Sequence, residues 1–176
     1  MGIEIEKKFL VKELPADLDK YPFHLIEQGY LNVHPAIRVR KEDDRYYMTY
    51  KGTDESYEGI GKVEYNLPLD RDGYEHLIAK ADGNVITKKR YLIPLNGDAF
   101  TKEYLSDHTE LSDAVAQGRI AIELDVFEGV FEGRILAEVE FPDEESAAFY
   151  RPASWFGEDV TGNLKYSNST MSREKF

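Results

Sequence analysis

Apolar and charged residues alternate with period two along eight short stretches of this chain. The opening stretch, residues 2–11, shows the pattern most clearly. In an extended backbone Glu4, Glu6 and Lys8 fall on one face, and Ile3, Ile5, Lys7 and Phe9 on the other. The same spacing predicts strands at 24–33, with Ile26, Gln28 and Tyr30 aligned, and at 36–41, with Arg38 and Arg40 opposed to Ile37 and Val39. It predicts two more at 45–51 (Tyr47, Thr49, Lys51 aligned) and 60–69 (Lys62, Glu64, Asn66 aligned). Later come 85–93, carrying Lys88 and Arg90, and 120–127, presenting Glu123 and Asp125 against Ile122, Leu124 and Val126. The last is 135–141, presenting Glu138 and Glu140 against Ala137, Val139 and Phe141.

The remaining segments read as turns and short helices. Leu14 to Leu18 has the look of a helical turn, and Glu42-Asp43-Asp44 of a hairpin tip. Asp70 is placed to cap a helix reaching about Ala81, which Asp82-Gly83 ends. Residues 95–118 are polar and read as an insertion or flexible excursion, with a helical stretch at 107–116. Helices are expected from Pro142 to about Phe149, near Pro152 to Phe156, and from about Gly162 or Asn163 onward. The apolar strand face, including Ile5, Ile37, Val39, Val63, Ile122, Leu124 and Val139, needs a cover, and these helices supply one.

Composition narrows the class. The 176 residues suffice for one domain, 1–176, and 12 Tyr with 9 Phe agree with a strand-rich fold. A net charge of −12 opposes nucleic acid and anionic membranes at long range. No apolar run approaches the roughly 20 residues of a membrane helix, and no signal peptide is visible, so a cytoplasmic location is expected. Without cysteine there is neither disulfide nor thiolate metal site. The four histidines lack zinc spacing, and Gly59-Ile60-Gly61-Lys62 lacks the spacing of a phosphate loop.

The charged face carries the candidate chemistry. Its acids are Glu4, Glu6, Glu64, Glu123, Asp125, Glu138 and Glu140, and its bases Lys8, Arg38, Arg40, Lys51, Lys62, Lys88 and Arg90. Two architectures accommodate them. An open sheet would turn this face to water. A closed barrel would turn it inward, around a bore wide enough for one small ligand. Like charges at i and i+2 repel unless a ligand of opposite sign bridges them. Paired acids match hard divalent cations, Mg²⁺ or Mn²⁺, and paired bases match phosphate oxygens. A metal–polyphosphate complex satisfies both.

Taken in order, these residues resemble the CYTH superfamily of triphosphate tunnel metalloenzymes. The resemblance is carried by Glu4-Ile5-Glu6-Lys7-Lys8, Glu27-Gln28-Gly29-Tyr30-Leu31, Arg38-Val39-Arg40, Thr49-Tyr50-Lys51-Gly52 and Lys88-Lys89-Arg90-Tyr91. It continues through Glu123-Leu124-Asp125, Glu138-Val139-Glu140 and Asn163-Leu164-Lys165-Tyr166-Ser167-Asn168. It implies an α+β fold: an eight-stranded antiparallel β-barrel, a tunnel with a charged interior, covered by several short helices. It also implies a metal-dependent hydrolase, most similar to the bacterial branch that splits tripolyphosphate into pyrophosphate and phosphate. Class IV adenylyl cyclase, thiamine triphosphatase and a non-catalytic polyphosphate- or nucleotide-binding module are the alternatives. Three features depart from the family pattern: Lys62-Val63-Glu64-Tyr65-Asn66 has one acid fewer, Asn163 and Lys165 replace Asp and Arg, and 95–118 is long.

The roles that follow assign Glu4, Glu6, Glu138 and Glu140 to a first metal. Glu64, Glu123 and Asp125 are assigned to a second metal or the attacking water. Lys8, Arg38, Arg40, Lys51, Lys62, Arg90 and Lys165 are assigned to phosphate. Lys88 assists the leaving group. Tyr30 either orients the substrate through its hydroxyl or packs in the core. The partner is a small triphosphate, and the protein a monomer or homodimer.

Overall fold

The structure is a computed structural model that describes residues 2–53 and 62–176. Its strands are β1 (Gly2–Val11), β2 (Phe23–Val33), β3 (Ala36–Glu42), β4 (Arg45–Gly52), β5 (Lys62–Leu69), β6 (Asp82–Pro94), β7 (Ala121–Glu128), β8 (Ile135–Phe141) and β9 (Phe156–Asp159). Every pairing is antiparallel, and the order β5-β4-β3-β2-β6-β7-β8-β1 is closed by a β1–β5 seam. The seam is short: Gly2, Ile3 and Glu4 of β1 lie opposite Glu64, Val63 and Lys62 of β5. Beyond it β9 takes over the same edge of β1, pairing at Phe9 and Val11. The closed eight-stranded barrel is therefore the observed architecture, and the open sheet is not. The Gly-x-Gly at 59–61 and the first two residues expected of the fifth strand lie outside the described residues.

The main apolar core lies outside the barrel wall. Ile5, Phe9, Ile93, Ile122, Leu124, Ala137, Val139 and Phe141 point outward from β1, β6, β7 and β8. They pack against Phe100, Leu111, Ala114, Ala147, Tyr150 and Phe156 from the covering segments. The cover consists of α2 (Lys102–Asp107), α3 (Thr109–Ala116), α4 (Glu144–Phe149) and β9. Residues 95–118 are thus a packed layer and not a flexible excursion, and α3 occupies the helical stretch expected at 107–116. Their polar residues face water, while Phe100, Leu111 and Ala114 sit at 5–7% exposure in the core. The helix expected at 152–156 is also replaced. Phe156 enters β9 instead, because Phe9 of β1 offers it a stacking partner 4.7 Å away.

Helix α1 (Arg71–Ile78) covers the wall on the other side, and Asp70 caps it by accepting from the Gly73 N–H at 2.7 Å. Its end crosses β2 at Gly29, where a Cβ would lie 2.6 Å from Ala81 Cβ and 2.7 Å from Ile78 Cδ1. The C-terminus forms a 3₁₀ turn at Leu164–Tyr166 and a one-turn helix α5 (Asn168–Met171), not the continuous helix expected. A second apolar cluster, Tyr30, Ile86, Phe127, Phe131, Leu136 and Met171, sits beneath this segment. Ile86, Phe127 and Leu136 share their strand faces with Lys88, Asp125 and Glu138, so this layer fills part of the barrel interior.

Candidate active site

Period-two alternation on a closed barrel sends one face of every strand into the bore. A cavity of about 400 Å³ opens at the end formed by Val33, His34, Pro35, Gly52 and Thr53, with Leu164 and Ser167 to Ser169 over it. A cavity of about 300 Å³ opens at the opposite end beside His24, Glu42, Tyr47 and Leu92. Both are walled by Glu4, Glu6, Arg38, Arg40, Arg90 and Glu138, which makes them two mouths of one passage.

Most of the cations in the wall are tied to carboxylates. Lys8 Nζ is 2.8 Å from Glu138 Oε1. Lys51 pairs with Glu4 and lies 3.9 Å from Glu6. Lys88 pairs with Asp125. Arg90 is the most heavily engaged. It donates from Nε and Nη2 to Asp125 at 2.7 and 2.8 Å, from Nη2 to Glu138 at 2.8 Å, and pairs with Glu123. Burial disfavours the charge on Glu138, but Lys8 and Arg90 outweigh it and hold this carboxyl well below the usual range. Burial, only partly offset by Asp125, brings Lys88 down to about 8.

Two guanidiniums stand apart. Arg38 and Arg40, adjacent on the bore face of β3, make no ion pair with any described carboxylate. Arg40 is 6% exposed and held only by neutral oxygens. Its Nε donates to Gln28 Oε1 at 2.8 Å and its Nη1 to the Tyr47 hydroxyl at 3.3 Å. The half-buried Arg38 hydrogen-bonds Tyr30 but keeps a buried Nε with no hydrogen-bond partner among the described residues. Burial, and then the Arg38 charge, push the Arg40 pKa below the ordinary guanidinium value. Adjacent buried cations of this kind are electrostatically incomplete without an anion.

The acids are incomplete in the opposite sense. Glu6 of β1 lies directly across from Glu140 of β8, and Glu138 of β8 across from Glu123 of β7. Burial, then repulsion from Glu4, Glu123, Glu64 and Glu6, raises Glu140 to about 7. Burial and the Glu138 charge raise Glu6 as well. Among the described residues no three acidic or histidine side chains already converge on a point, and the bore carboxyls in close contact are Glu4 and Glu64 at the seam. Facing hard-oxygen donors that repel fit a divalent cation.

The predicted residues thus separate by position. Glu4, Glu6, Lys8, Arg38, Arg40, Lys51, Lys62, Arg90 and Glu138 line the first mouth and the centre, with Glu123 and Glu140 at the second mouth. Glu64 lies beside the seam, accepting from Asn66 Nδ2 at 2.9 Å, while Asn66 accepts from the Thr49 hydroxyl at 2.6 Å. Lys88 and Asp125 are 1% and 0% exposed, sealed in the barrel interior between Arg90 and the inner apolar layer, with Lys88 Nζ 5.3 Å from the centre of the Phe127 ring. Tyr30, at 3% exposure, belongs to the inner apolar layer and also lines the first cavity, where its side chain hydrogen-bonds Arg38. Lys165 is exposed and lines neither mouth; Leu164, Ser167, Asn168 and Ser169 do so in its place. Gln28, Tyr47 and Glu42 received no role from the sequence. The signals for them are the place of Gln28 in Glu27-Gln28-Gly29-Tyr30-Leu31 and its alignment with Ile26, and the alignment of Tyr47 with Lys51; Glu42 reads only as part of a hairpin tip.

Comparison with known proteins places this geometry. The chain is 32% identical over 173 residues to an inorganic triphosphatase of Nitrosomonas europaea, covering 96% of each chain. It is 34% identical over 180 residues to an inorganic triphosphatase of Acetivibrio thermocellus, covering all of this chain and 97% of that one. A crystal structure of an inorganic triphosphatase superposes with a TM-score of 0.64 at 29% identity, covering 99% of this chain and 97% of the other. The CYTH domain model matches residues 2–159, from the β1 carboxylates to the last strand. By sequence match and barrel architecture together, the chain belongs to the CYTH domain family.

Proposed function

We propose that this protein hydrolyses inorganic triphosphate to pyrophosphate and phosphate with the help of a divalent cation, Mg²⁺ or Mn²⁺, in the cytoplasm. The observation that carries the reading is the Arg38–Arg40 pair, two guanidiniums in the bore wall that make no ion pair with any described carboxylate, although Glu64 and Glu4 lie near Arg38 and Glu42 near Arg40. A phosphate chain supplies the missing negative charge along the length of the passage. The relatives' shared activity supports the same substrate.

The residues divide the work as follows. Arg38 and Arg40 grip phosphate oxygens at the centre, with Lys8, Lys51 and Lys62 toward the first mouth. These charges stabilise the negative charge that shifts between phosphoryl oxygens during transfer. Glu4, Glu6 and Glu140 are the carboxyls suited to hold the cation, with Glu138 turned toward Lys8 and Arg90. The cation, when bound, neutralises phosphate charge and polarises a phosphoryl oxygen. Asp125 and Lys88 act behind the surface, fixing the plane of Arg90. Glu64 and Glu123 remain the acids available to position water.

A groove of about 870 Å³ adjoins the second mouth, sharing Leu92, Glu123 and Glu140 with it. It offers room for an organic substituent, so ATP and thiamine triphosphate belong in the test. We expect phosphate release from tripolyphosphate with Mg²⁺ or Mn²⁺, its abolition by a chelator, and slower turnover of the two organic triphosphates. Metal-loaded protein that leaves tripolyphosphate intact would refute the assignment.

A further inference from the structure

We propose that Gln28 is a positioning residue for the substrate: its neutral amide aims Arg40 into the bore without cancelling the charge that the phosphate chain needs. The inference rests on the triphosphate reading above.

Gln28 is fully buried on the inner face of β2, directly across from Arg40 on β3. Its Oε1 accepts from Arg40 Nε at 2.8 Å, and its Nε2 has no hydrogen-bond partner among the described residues. A buried amide with an idle donor is costly, so its presence calls for a reason. The contrast with Arg90 supplies one. Arg90 is oriented by Asp125, Glu123 and Glu138, and its charge is spent on them. Arg40 is oriented by an amide oxygen and a phenol. The nearest acid on this network is kept one group away: the Tyr47 hydroxyl donates to Glu42 Oε2 at 2.5 Å while accepting from Arg40. Glu42 in turn is engaged by Arg45 Nη2 at 2.9 Å. Both direct contacts of Arg40 therefore fix its geometry and leave its charge uncancelled. A carboxylate at position 28 would orient the guanidinium equally well, yet would form a buried ion pair that a phosphate must displace.

Position 28 thus has two separable roles, orientation and neutrality, and two substitutions test them. Gln28→Met keeps the volume and removes the acceptor. Gln28→Glu keeps the acceptor and adds the charge. The readouts are KM and kcat for tripolyphosphate with Mg²⁺, together with calorimetric binding of tripolyphosphate in chelator and the thermal midpoint of each variant. We expect KM to rise about tenfold in Gln28→Met. We expect a rise at least as large in Gln28→Glu, with weaker binding in chelator, although its thermal midpoint equals or exceeds that of the wild type. Wild-type affinity in Gln28→Glu would overturn the proposal. So would variants whose kcat falls with KM unchanged, or whose activity loss only tracks a lost fold. Turnover by the wild type is scored separately. Its absence would refute the hydrolase reading, while binding in chelator would still decide the role of Gln28.

Discussion

Arg40 and Arg90 are the same side chain in opposite electrostatic settings, and the difference assigns them different work. Arg90 braces β6, β7 and β8 by compensating Asp125, Glu123 and Glu138. Removing it leaves Asp125 fully buried with Lys88 as its one remaining ion-pair partner among the described residues. An Arg90→Ala variant is expected to lose about 3–5 kcal/mol of stability, read by urea denaturation. Arg40 compensates no described carboxylate directly, and Arg38 and Arg90 repel it. Arg40→Met is therefore expected to leave stability unchanged or raise it, while KM for tripolyphosphate rises sharply. That pairing of gained stability with lost binding is the mark of a residue held in place for its ligand. If Arg40→Met destabilises the protein as much as Arg90→Ala, the distinction between brace and ligand grip fails.

At the scale of elements, the barrel is a wall with two different surfaces, and its covers determine where that wall is rigid. Helices α2, α3 and α4 with β9 seal β1, β6, β7 and β8, the strands that carry most of the acids. Helix α1 seals β2 and β3, the strands of Gln28, Arg38 and Arg40. That second cover packs tightly at Gly29, next to Gln28, where any Cβ would collide with Ile78 and Ala81. Gly29→Ala should therefore cost about 1–3 kcal/mol in stability, because α1 must be pushed off the wall. Since β2 also carries Gln28, the same change should weaken tripolyphosphate binding. Thermal melting and calorimetry check the two halves. A variant as stable as the wild type would show that α1 slides freely over β2.

At the scale of the whole molecule, closure depends on unequal joints. The β1–β8 ladder runs from Ile5 to Leu10, whereas the β1–β5 seam holds only Gly2 to Glu4. The Lys51–Glu4 ion pair and the facing of Glu4 with Lys62 add charge across it. The shortest joint is the one that opens most easily. Hydrogen exchange is thus expected to be faster at residues 2–4 and 62–64 than along 5–10 and 136–141. Tripolyphosphate with a divalent cation should slow exchange at the seam, because Glu4, Lys51 and Lys62 all line the first mouth. Equal protection of both joints without ligand would remove the seam as the weak point.

The eight barrel strands and the charged face of each follow from the sequence alone, because side-chain direction in an extended backbone depends only on residue parity. The ordered charge pairs were equally local, and they identified the family. Segments such as 95–118 and 152–156 were not legible. Their structure is set by what they cover: Phe100 and Leu111 become core only once the outer wall of β7 and β8 exists, and Phe156 becomes a strand only because Phe9 is beside it. The chain likewise names Arg40 and Arg90 without distinguishing them. Register across strands decided that one meets three carboxylates and the other an amide and a phenol, and a contact between strands distant in sequence has no local signature.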